Sequence, residues 1–514
     1  MKASILILVV IGSLVLPSSG SSSETTYTIG GTVSGLSGAG LVLQDNGGNN
    51  LAVSANGNFT FTTAIADGDT YKVTVLTQPS VPAQTCTVKN GDGTATAKVT
   101  DVEVACEDLT VAFEMLYSLD NADGRNPYAG LVRAKNGDLY GTTWAGNHDG
   151  NDYSGAVFQI TSSGTPTTLY YFCSETNCAD GELPYAGLVQ GSDGNFYGTT
   201  QAGGTDFGCD GFDGCGTIFK ITSSGKLTTL YTFCKTTPCA DGTDPYAALV
   251  QGSDGDFYGT TEAGGLGLGY GTVFKITSSG ELTTLYRFCL ESNCTDGGNP
   301  YAALVQGANG NFFGTTWGGG ANDGNGTVFE ITTGGKLTTL HSFAGTDGAH
   351  PQGALMLGTD GNFYGTTNAG GAQQGGCAAE VRCGTVFKIT PAGKFTTLYS
   401  FCSSSGCPDG QVPNAALVQG SDGSFYGTTE QGGQKGACPK VGACGTIFRI
   451  TPSGTLTTLY SFCSQGGASC TDGSNPYGAL IQDPTDGDFF GTTWAGGASN
   501  SGAVFRLSIG LEPY

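Results

Sequence analysis

Basic residues are scarce in this chain. It carries 20 Lys and Arg against 43 Asp and Glu in 514 residues, a formal net charge of −23. A surface this acidic repels a phosphate backbone, which argues against nucleic acid as a partner. Histidine is rarer still, with three residues, and no Cys-x-x-Cys knuckle occurs, so the usual zinc patterns are missing. No Gly-x-Ser-x-Gly elbow or phosphate loop is present. No stretch has helical periodicity with caps. Charged residues of either sign make up only 12%, so Ser, Thr, Asn, Gln and Gly must cover most of the surface.

Long apolar runs are confined to one, Ile5 to Pro17, too short to span a bilayer comfortably. Met1-Lys2 precedes it and Ser18, Ser19 and Gly20 follow, which predicts a signal peptide over 1–20. A mature chain without a transmembrane segment is expected, either secreted or held at the cell surface.

Cysteine, by contrast, is plentiful, and its 18 residues fall into local pairs. Cys173/Cys178, Cys234/Cys239, Cys289/Cys294, Cys402/Cys407 and Cys463/Cys470 follow the same strand in five of the repeats. Cys209/Cys215, Cys377/Cys383 and Cys438/Cys444 follow another, leaving Cys86 with Cys106. Disulfides suit export and are the expected state of all nine pairs. Each short ring contributes roughly 2 kcal/mol by chain-entropy arithmetic.

Glycine is abundant too, 88 residues without a collagen period, so it serves turns and bulges. Seven of these glycines sit in Tyr-Gly-Thr-Thr or Phe-Gly-Thr-Thr: Gly141, Gly198, Gly259, Gly314, Gly365, Gly427 and Gly491, spaced by 51 to 64 residues. About 400 residues are therefore one unit copied seven times. Each copy has four strand signals. Tyr246-Ala-Ala-Leu-Val-Gln reads as strand a, Phe257-Tyr-Gly-Thr-Thr as strand b, Gly271-Thr-Val-Phe-Lys-Ile-Thr as strand c and Leu282-Thr-Thr-Leu-Tyr-Arg-Phe as strand d. Asp-Gly turns join a to b, and Ser-Ser-Gly turns join c to d. Ahead of the repeats, 21–26 read as a flexible leader. Residues 27–107 alternate with period two between Gly, Asn and Asp turns, which predicts a small β-sandwich.

Four antiparallel strands in seven copies predict an all-β fold, a seven-bladed β-propeller over 109–514. A β-solenoid would need shorter, more even rungs. The seventh strand c, Gly502-Ala-Val-Phe-Arg-Leu-Ser, is followed by no strand d, whereas Phe113-Glu-Met-Leu-Tyr-Ser-Leu119 reads as a strand d with no unit before it. The N-terminal segment is thus expected to complete the last blade and close the ring.

The b–c loops and d–a connections hold the length variation and eight of the cysteine pairs, so this face is where binding is expected. The residue after each Gly-Thr-Thr varies: Trp144, Gln201, Glu262, Trp317, Asn368, Glu430 and Trp494. All three Trp of the chain stand there. Aromatic faces stack on sugars while acids and amides accept hydroxyls, a glycan platform; the plainer reading is local packing under the loops. Glu262 and Glu430 stand three repeats apart, too far for a glycosidase pair. Asp123, Asp180, Asp241, Asp296, Asp347, Asp409 and Asp472 each precede Gly in a d–a connection. Converging, they would suit Ca²⁺; singly, they suit Asx turns, and no calcium-loop pattern or other cofactor motif occurs. Tyr128, Tyr185, Tyr246, Tyr301 and Tyr477, with Gln352 and Asn414, follow Pro at the start of strand a and are expected near the central channel. His341 replaces the Tyr of a strand d, and His148 and His350 fall in loops.

The unit Phe-Tyr-Gly-Thr-Thr, then Gly-Thr-Val-Phe-Lys-Ile-Thr, then Leu-Thr-Thr-Leu-Tyr-Ser-Phe resembles the GloVer tandem repeat of bacterial exported proteins, the Gloeobacter and Verrucomicrobia type, across 109–514. The front module resembles immunoglobulin-like or transthyretin-like spacers. The first resemblance implies fold and export; it carries no established activity. Members are often anchored at the C-terminus, whereas this chain ends at Tyr514 with no sorting tail. The expected function is a monomeric secreted binding or adhesion protein with a glycan or protein ligand. The competing expectations are an extracellular glycosidase or polysaccharide lyase, and a structural scaffold.

Overall fold

The computed structural model describes residues 25–79, 84–146, 154–161, 164–205, 214–235, 238–265, 269–322, 324–372, 383–433, 444–465 and 470–510. The expected signal peptide, residues 21–24 of the leader, His148, Cys209, Cys377 and Cys438 lie outside them. The chain divides into two compact units between Glu107 and Asp108. No described helix is long and apolar enough to cross a membrane.

The first unit is built from a two-stranded sheet, Thr26–Tyr27 with Ile65–Ala66, and two four-stranded ones. One runs in the order Gly57–Thr60, Gly30–Ser34, Val102–Asp108, Gln84–Lys89; the other runs Asn49–Val53, Leu41–Asp45, Thr70–Thr77, Asp92–Thr94. Alternation does the sorting. Val33, Phe59 and Val104 of the first sheet and Leu41, Leu43 and Val73 of the second bury into one core, while their chain neighbours face solvent. Cys86–Cys106 ties two paired strands.

The second unit is a series of four-stranded antiparallel sheets that resemble propeller blades, seven among the described residues. They are numbered here by strand b, from Leu139–Thr143 in the first to Phe489–Thr493 in the seventh. In the third, Val250–Gln251, Phe257–Thr261, Thr272–Ile276 and Leu282–Arg287 lie side by side as strands a to d. The seventh holds Ile481–Gln482, Phe489–Thr493 and Ala503–Ser508, and Ala112–Ser118 is its fourth strand. That strand copies the others in detail. Its register slips between Met115 and Tyr117, at the same place as the c–d slip between Val157 and Phe158 in the first sheet. Tyr117 then donates to Asp123, as Tyr170 donates to Asp180.

Each letter of Phe-Tyr-Gly-Thr-Thr has a physical task. The Tyr of one sheet stacks on the Phe of the next, as in Tyr197 on Phe257 and Tyr258 on Phe312, both with ring centroids 4.0 Å apart. The Gly lies opposite the Phe of strand c, Gly259 against Phe274. A Cβ on Gly259 would stand 2.6 Å from Phe274 Cζ and 2.8 Å from Leu249 Cδ2, so no larger residue fits. The first Thr donates to the next sheet: Thr199 to the Ala247 carbonyl at 3.1 Å, Thr366 to Ala415 at 2.9 Å. The second Thr accepts from the start of strand c, with Thr217 N 3.1 Å from Thr200 Oγ1.

The same contacts join the seventh sheet to the first. Thr492 donates to the Ala129 carbonyl at 2.9 Å, and Asn126 Nδ2 donates to the Trp494 carbonyl at 2.9 Å. Leu131, Leu139 and Phe158 share a core cluster with Phe490 and Val504. One expectation needs correcting. Strand a is shorter than its apolar run suggests, two residues such as Val250–Gln251. The Ala-Ala before it has left its own ladder, since its carbonyls accept the threonine hydroxyls of the preceding sheet.

Candidate functional site: the mouth of a tyrosine-lined cavity

The small residues that follow each connection proline open a space. Tyr128, Tyr185, Tyr246, Tyr301, Gln352, Asn414 and Tyr477, with the Ala or Gly pairs after them, line a cavity of about 360 Å³. The Leu that comes next in each strand a, such as Leu249 or Leu417, turns into the core instead. Two arcs result. Tyr477, Tyr128, Tyr185, Tyr246 and Tyr301 run ring to ring, with successive centroids 4.3, 4.6, 4.8 and 5.2 Å apart. Gln352 and Asn414 interrupt them with amides.

The residues after Gly-Thr-Thr stand behind this lining. Each donates its backbone N–H to the residue before a connection proline, at 2.9 to 3.3 Å. Gln201 donates to the Tyr246 hydroxyl at 2.6 Å, and Tyr301 donates to Glu262 at 3.2 Å. Asn368 donates to Asn414 at 2.5 Å, and Asn414 donates to Glu430 at 2.8 Å. Trp144 packs near Tyr185, Trp494 near Tyr477 and Trp317 near Tyr301, with centroids 5.9, 6.4 and 6.4 Å apart. Trp317 is the exposed one, at 36%, and stacks on His350 at 4.3 Å. None of the seven residues chosen by position lines the cavity; each contacts a residue that does, and Gln201, Asn368 and Glu430 are buried.

Sequence reasoning missed a third set, the residues before proline: Asn126, Leu183, Asp244, Asn299, His350, Val412 and Asn475. All adopt the left-handed conformation, φ 54 to 60°. That is costly for Leu183 and for β-branched Val412. Their N–H groups bond to the residue before strand c of the preceding sheet: Asp244 to the Cys215 carbonyl at 3.2 Å, Val412 to Cys383 at 3.0 Å and Asn475 to Cys444 at 2.9 Å. The disulfide-bonded cysteines therefore anchor the residues that present Tyr246, Asn414 and Tyr477. The signal was there in sequence: an invariant Pro preceded by a varying residue in every connection.

The cysteines are paired as expected at Cys86–Cys106, Cys173–Cys178, Cys234–Cys239, Cys289–Cys294, Cys402–Cys407 and Cys463–Cys470. Cys215, Cys383 and Cys444 are disulfide-bonded too; Cys209, Cys377 and Cys438, assigned to them by spacing, lie outside the described residues. Cys215 Sγ lies within 4.8 Å of those of Cys234 and Cys239, so two staples meet there.

The Asp ring of the d–a connections has a local task. Asp180 accepts from the Tyr170 hydroxyl at 2.8 Å and from the Ser174 and Glu175 amides at 3.0 and 3.2 Å. Asp296 and Asp472 do likewise with Tyr286 and Tyr460. His341 takes the tyrosine's place, with Nε2 2.9 Å from Asp347. The carboxylates of Asp180, Asp296 and Asp472 are engaged within their own connections by amides that precede them, not by the amide two residues on that the expected Asx turn would use.

The electrostatics of the mouth are one-sided. Burial pushes the Glu262 carboxyl up, and neighbouring Asp244 adds to it. Burial also raises Asp244, against hydrogen bonds from Thr243 and Gln201. Burial likewise raises Tyr185, Tyr246, Tyr301 and Tyr477, so these phenols stay protonated.

A family model described as the Gloeobacter/Verrucomicrobia repeat matches residues 93–294, 290–380 and 378–511. No curated protein sequence matches the chain. Among solved structures, the extracellular domain of the hybrid two-component system BT3049 from B. thetaiotaomicron is similar at 12% identity and TM-score 0.46, over 84% of this chain and 44% of that one. The PQQ-bound aldose sugar dehydrogenase of Streptomyces coelicolor is similar at 13% identity and TM-score 0.35, over 78% and 98%. The periplasmic gluconolactonase PpgL of Pseudomonas aeruginosa is similar at 13% identity and TM-score 0.39, over 69% and 95%.

Proposed function

The chain belongs to the Gloeobacter/Verrucomicrobia repeat family, and we propose that it is a secreted binding protein: a closed seven-bladed β-propeller whose stapled face takes a glycan or an extracellular protein. Closure is supported by Ala112–Ser118, which supplies the seventh sheet's outer strand, and by the Thr492–Ala129 and Asn126–Trp494 bonds, which repeat the contacts of successive sheets. Its disulfide content is that of an extracytoplasmic protein.

One observation carries the binding reading. The repeated Phe-Tyr-Gly-Thr-Thr is taken up by packing contacts, and the side chains that vary after it gather directly behind the cavity lining. A rigid scaffold with variation on one face is the usual carrier of recognition. The disulfides hold that face before the ligand arrives, which lowers the ordering cost of binding.

The test is retention of the full-length oxidised protein on a panel of immobilised polysaccharides and extracellular proteins. The expected result is capture by at least one, weakened when Trp317 or Tyr185 becomes Ala. Capture that both variants leave untouched would move the ligand off this face, and no capture would leave the scaffold reading. The raised Asp244 and Glu262 carboxyls also favour a second reading, a carbohydrate-active enzyme. Release of reducing sugar or an unsaturated uronate, abolished in Glu262→Gln, would establish it.

A further inference from the structure

The lining of the cavity is uneven in a way that selects a ligand. Five consecutive phenols cover one side, and two consecutive amides, Gln352 and Asn414, cover the other. The phenol side offers ring carbon with hydroxyls at its edge. The amide side offers donors and acceptors already drawn into a network with Asn368 and Glu430. A wholly apolar ligand would desolvate that network with nothing in return. A ligand with one C–H face and one hydroxyl-bearing edge satisfies both sides.

Charge narrows the class. No Lys, Arg or His lines the cavity among the described residues. Glu262 and Glu430 stand directly behind Tyr301 and Asn414. An anionic sugar would bring a carboxylate or sulfate to a site that offers it no cation, on a chain of net charge −23. Size narrows it again. The cavity's 360 Å³ lies at the small end of the ~300–1,000 Å³ typical of ligand pockets. A space this small, ringed by the seven strand-a segments, is entered more readily by the end of a chain than by its middle.

We propose that the cavity binds the end of a non-acidic sugar chain, neutral or amino-bearing, with its C–H face on the tyrosine arc and its hydroxyls on Gln352 and Asn414. The inference rests on the binding reading above and gives that reading its ligand class.

Calorimetric titration of the oxidised full-length protein tests it. The probes are trimers and hexamers of β-1,4-glucose, β-1,4-mannose, β-1,4-xylose and β-1,4-glucosamine, with oligogalacturonate of the same lengths. At least one non-acidic series binds, its trimer and hexamer agree within about threefold, and oligogalacturonate binds at least about tenfold more weakly. Gln352→Ala weakens binding about tenfold, the worth of one hydrogen bond, and Tyr185→Leu, which removes a ring from the arc, weakens it at least as far, both with thermal midpoints near that of the parent. Oligogalacturonate binding as tightly as the others would overturn the inference, and so would affinity that keeps rising from trimer to hexamer. Binding indifferent to Tyr185→Leu and Gln352→Ala but lost in Trp317→Ala would overturn it while leaving a glycan site elsewhere on the face. Capture of a protein, or of tetramethylammonium in the tyrosine arc, with no sugar bound, would overturn it and leave the broader binding reading standing. Failure to bind any probe or partner removes both.

Discussion

The two ends of each sheet treat their carboxylates in opposite ways. At the short-turn end, the turn acid meets a cation from strand c and the tyrosine of strand b. Asp254 takes Lys275 and Tyr258, and Asp360 takes Lys388 and Tyr364. Asp422 takes Arg449 and Tyr426. The fourth sheet exchanges the roles: Asn309 and Asn311 stand in the turn and donate to Glu330, at 2.9 and 2.7 Å. A swap that keeps the interaction while changing both partners marks a structural requirement. At the connection end, Glu262 faces Asn299 and Tyr301, and its acidic neighbour is Asp244. One end pairs its turn acids with cations and repeats; at the other, Glu262 and Asp244 have hydrogen-bond donors but no cation among the described residues, and their positions vary between repeats. The comparison teaches where the repeated scaffold stops and where the side chains begin to vary.

The comparison assumes that one frame holds both ends, and the largest effect comes from breaking that frame. Deleting 109–119 removes the seventh sheet's outer strand, including Phe113, which packs on Tyr460, Phe462 and Phe505. An open sheet edge and a torn core should lower the thermal midpoint sharply and weaken ligand capture with it. Calorimetry reads this directly, and an unchanged midpoint would rule out the clasp. The next effect belongs to the short-turn end alone. Arg449 is 1% exposed and holds Asp422 at 2.7 Å. Arg449→Ala strands that buried acid and should cost about 3–5 kcal/mol in denaturant unfolding. Ligand affinity of the folded fraction should not change. A loss of affinity at full stability would show that the ends are coupled.

How much of this was legible in the sequence follows from what repeats. Phe-Tyr-Gly-Thr-Thr announced strand b because each of its letters answers a contact made seven times or nearly so. Phe113 to Leu119 announced a strand d because its Leu-Tyr-Ser and the apolar residue after it match other copies, and Tyr117 reaches Asp123 as Tyr170 reaches Asp180, six residues on rather than ten. Strand a was read too long, since Tyr-Ala-Ala looks like a strand but its carbonyls serve the neighbouring sheet. The cavity itself was only half visible. Its tyrosines and the residues after Gly-Thr-Thr stand out by position. Asp244 and His350 do not, because their left-handed backbone is set by bonds to a preceding sheet about 20 to 30 residues back. The Asp ring looked like a candidate ion site for a related reason: sequence shows one such carboxylate per repeat but not the tyrosine hydroxyl that Asp180, Asp296 and Asp472 each accept.

The smallest effect is the one that separates the two ends most sharply, their response to acid. At the short-turn end burial works against the ionised Asp360, yet Lys388, Asn362 and Tyr364 outweigh it and hold the carboxyl at about 2, below its ordinary 3.8. A depressed acid stabilises the fold fully above 3.8, and that contribution fades as pH falls through about 2. Asp254 is shifted the same way for the same reasons. At the connection end the sign reverses. Glu262 and Asp244 sit above their ordinary 4.5 and 3.8, so their ionised forms cost the fold at neutral pH. That cost is relieved as acid protonates them in the native state first. Stability should therefore rise slightly from pH 7 towards the raised values and then fall below pH 4. Glu262→Gln removes its share of the rise, adds on the order of 1 kcal/mol or less at pH 7 and leaves the acid limb unchanged. Urea unfolding at pH 7, 5, 3 and 2 measures both limbs. A variant that keeps the full rise would mean that Glu262 is compensated after all, and the contrast between the ends would then rest on Asp244 alone.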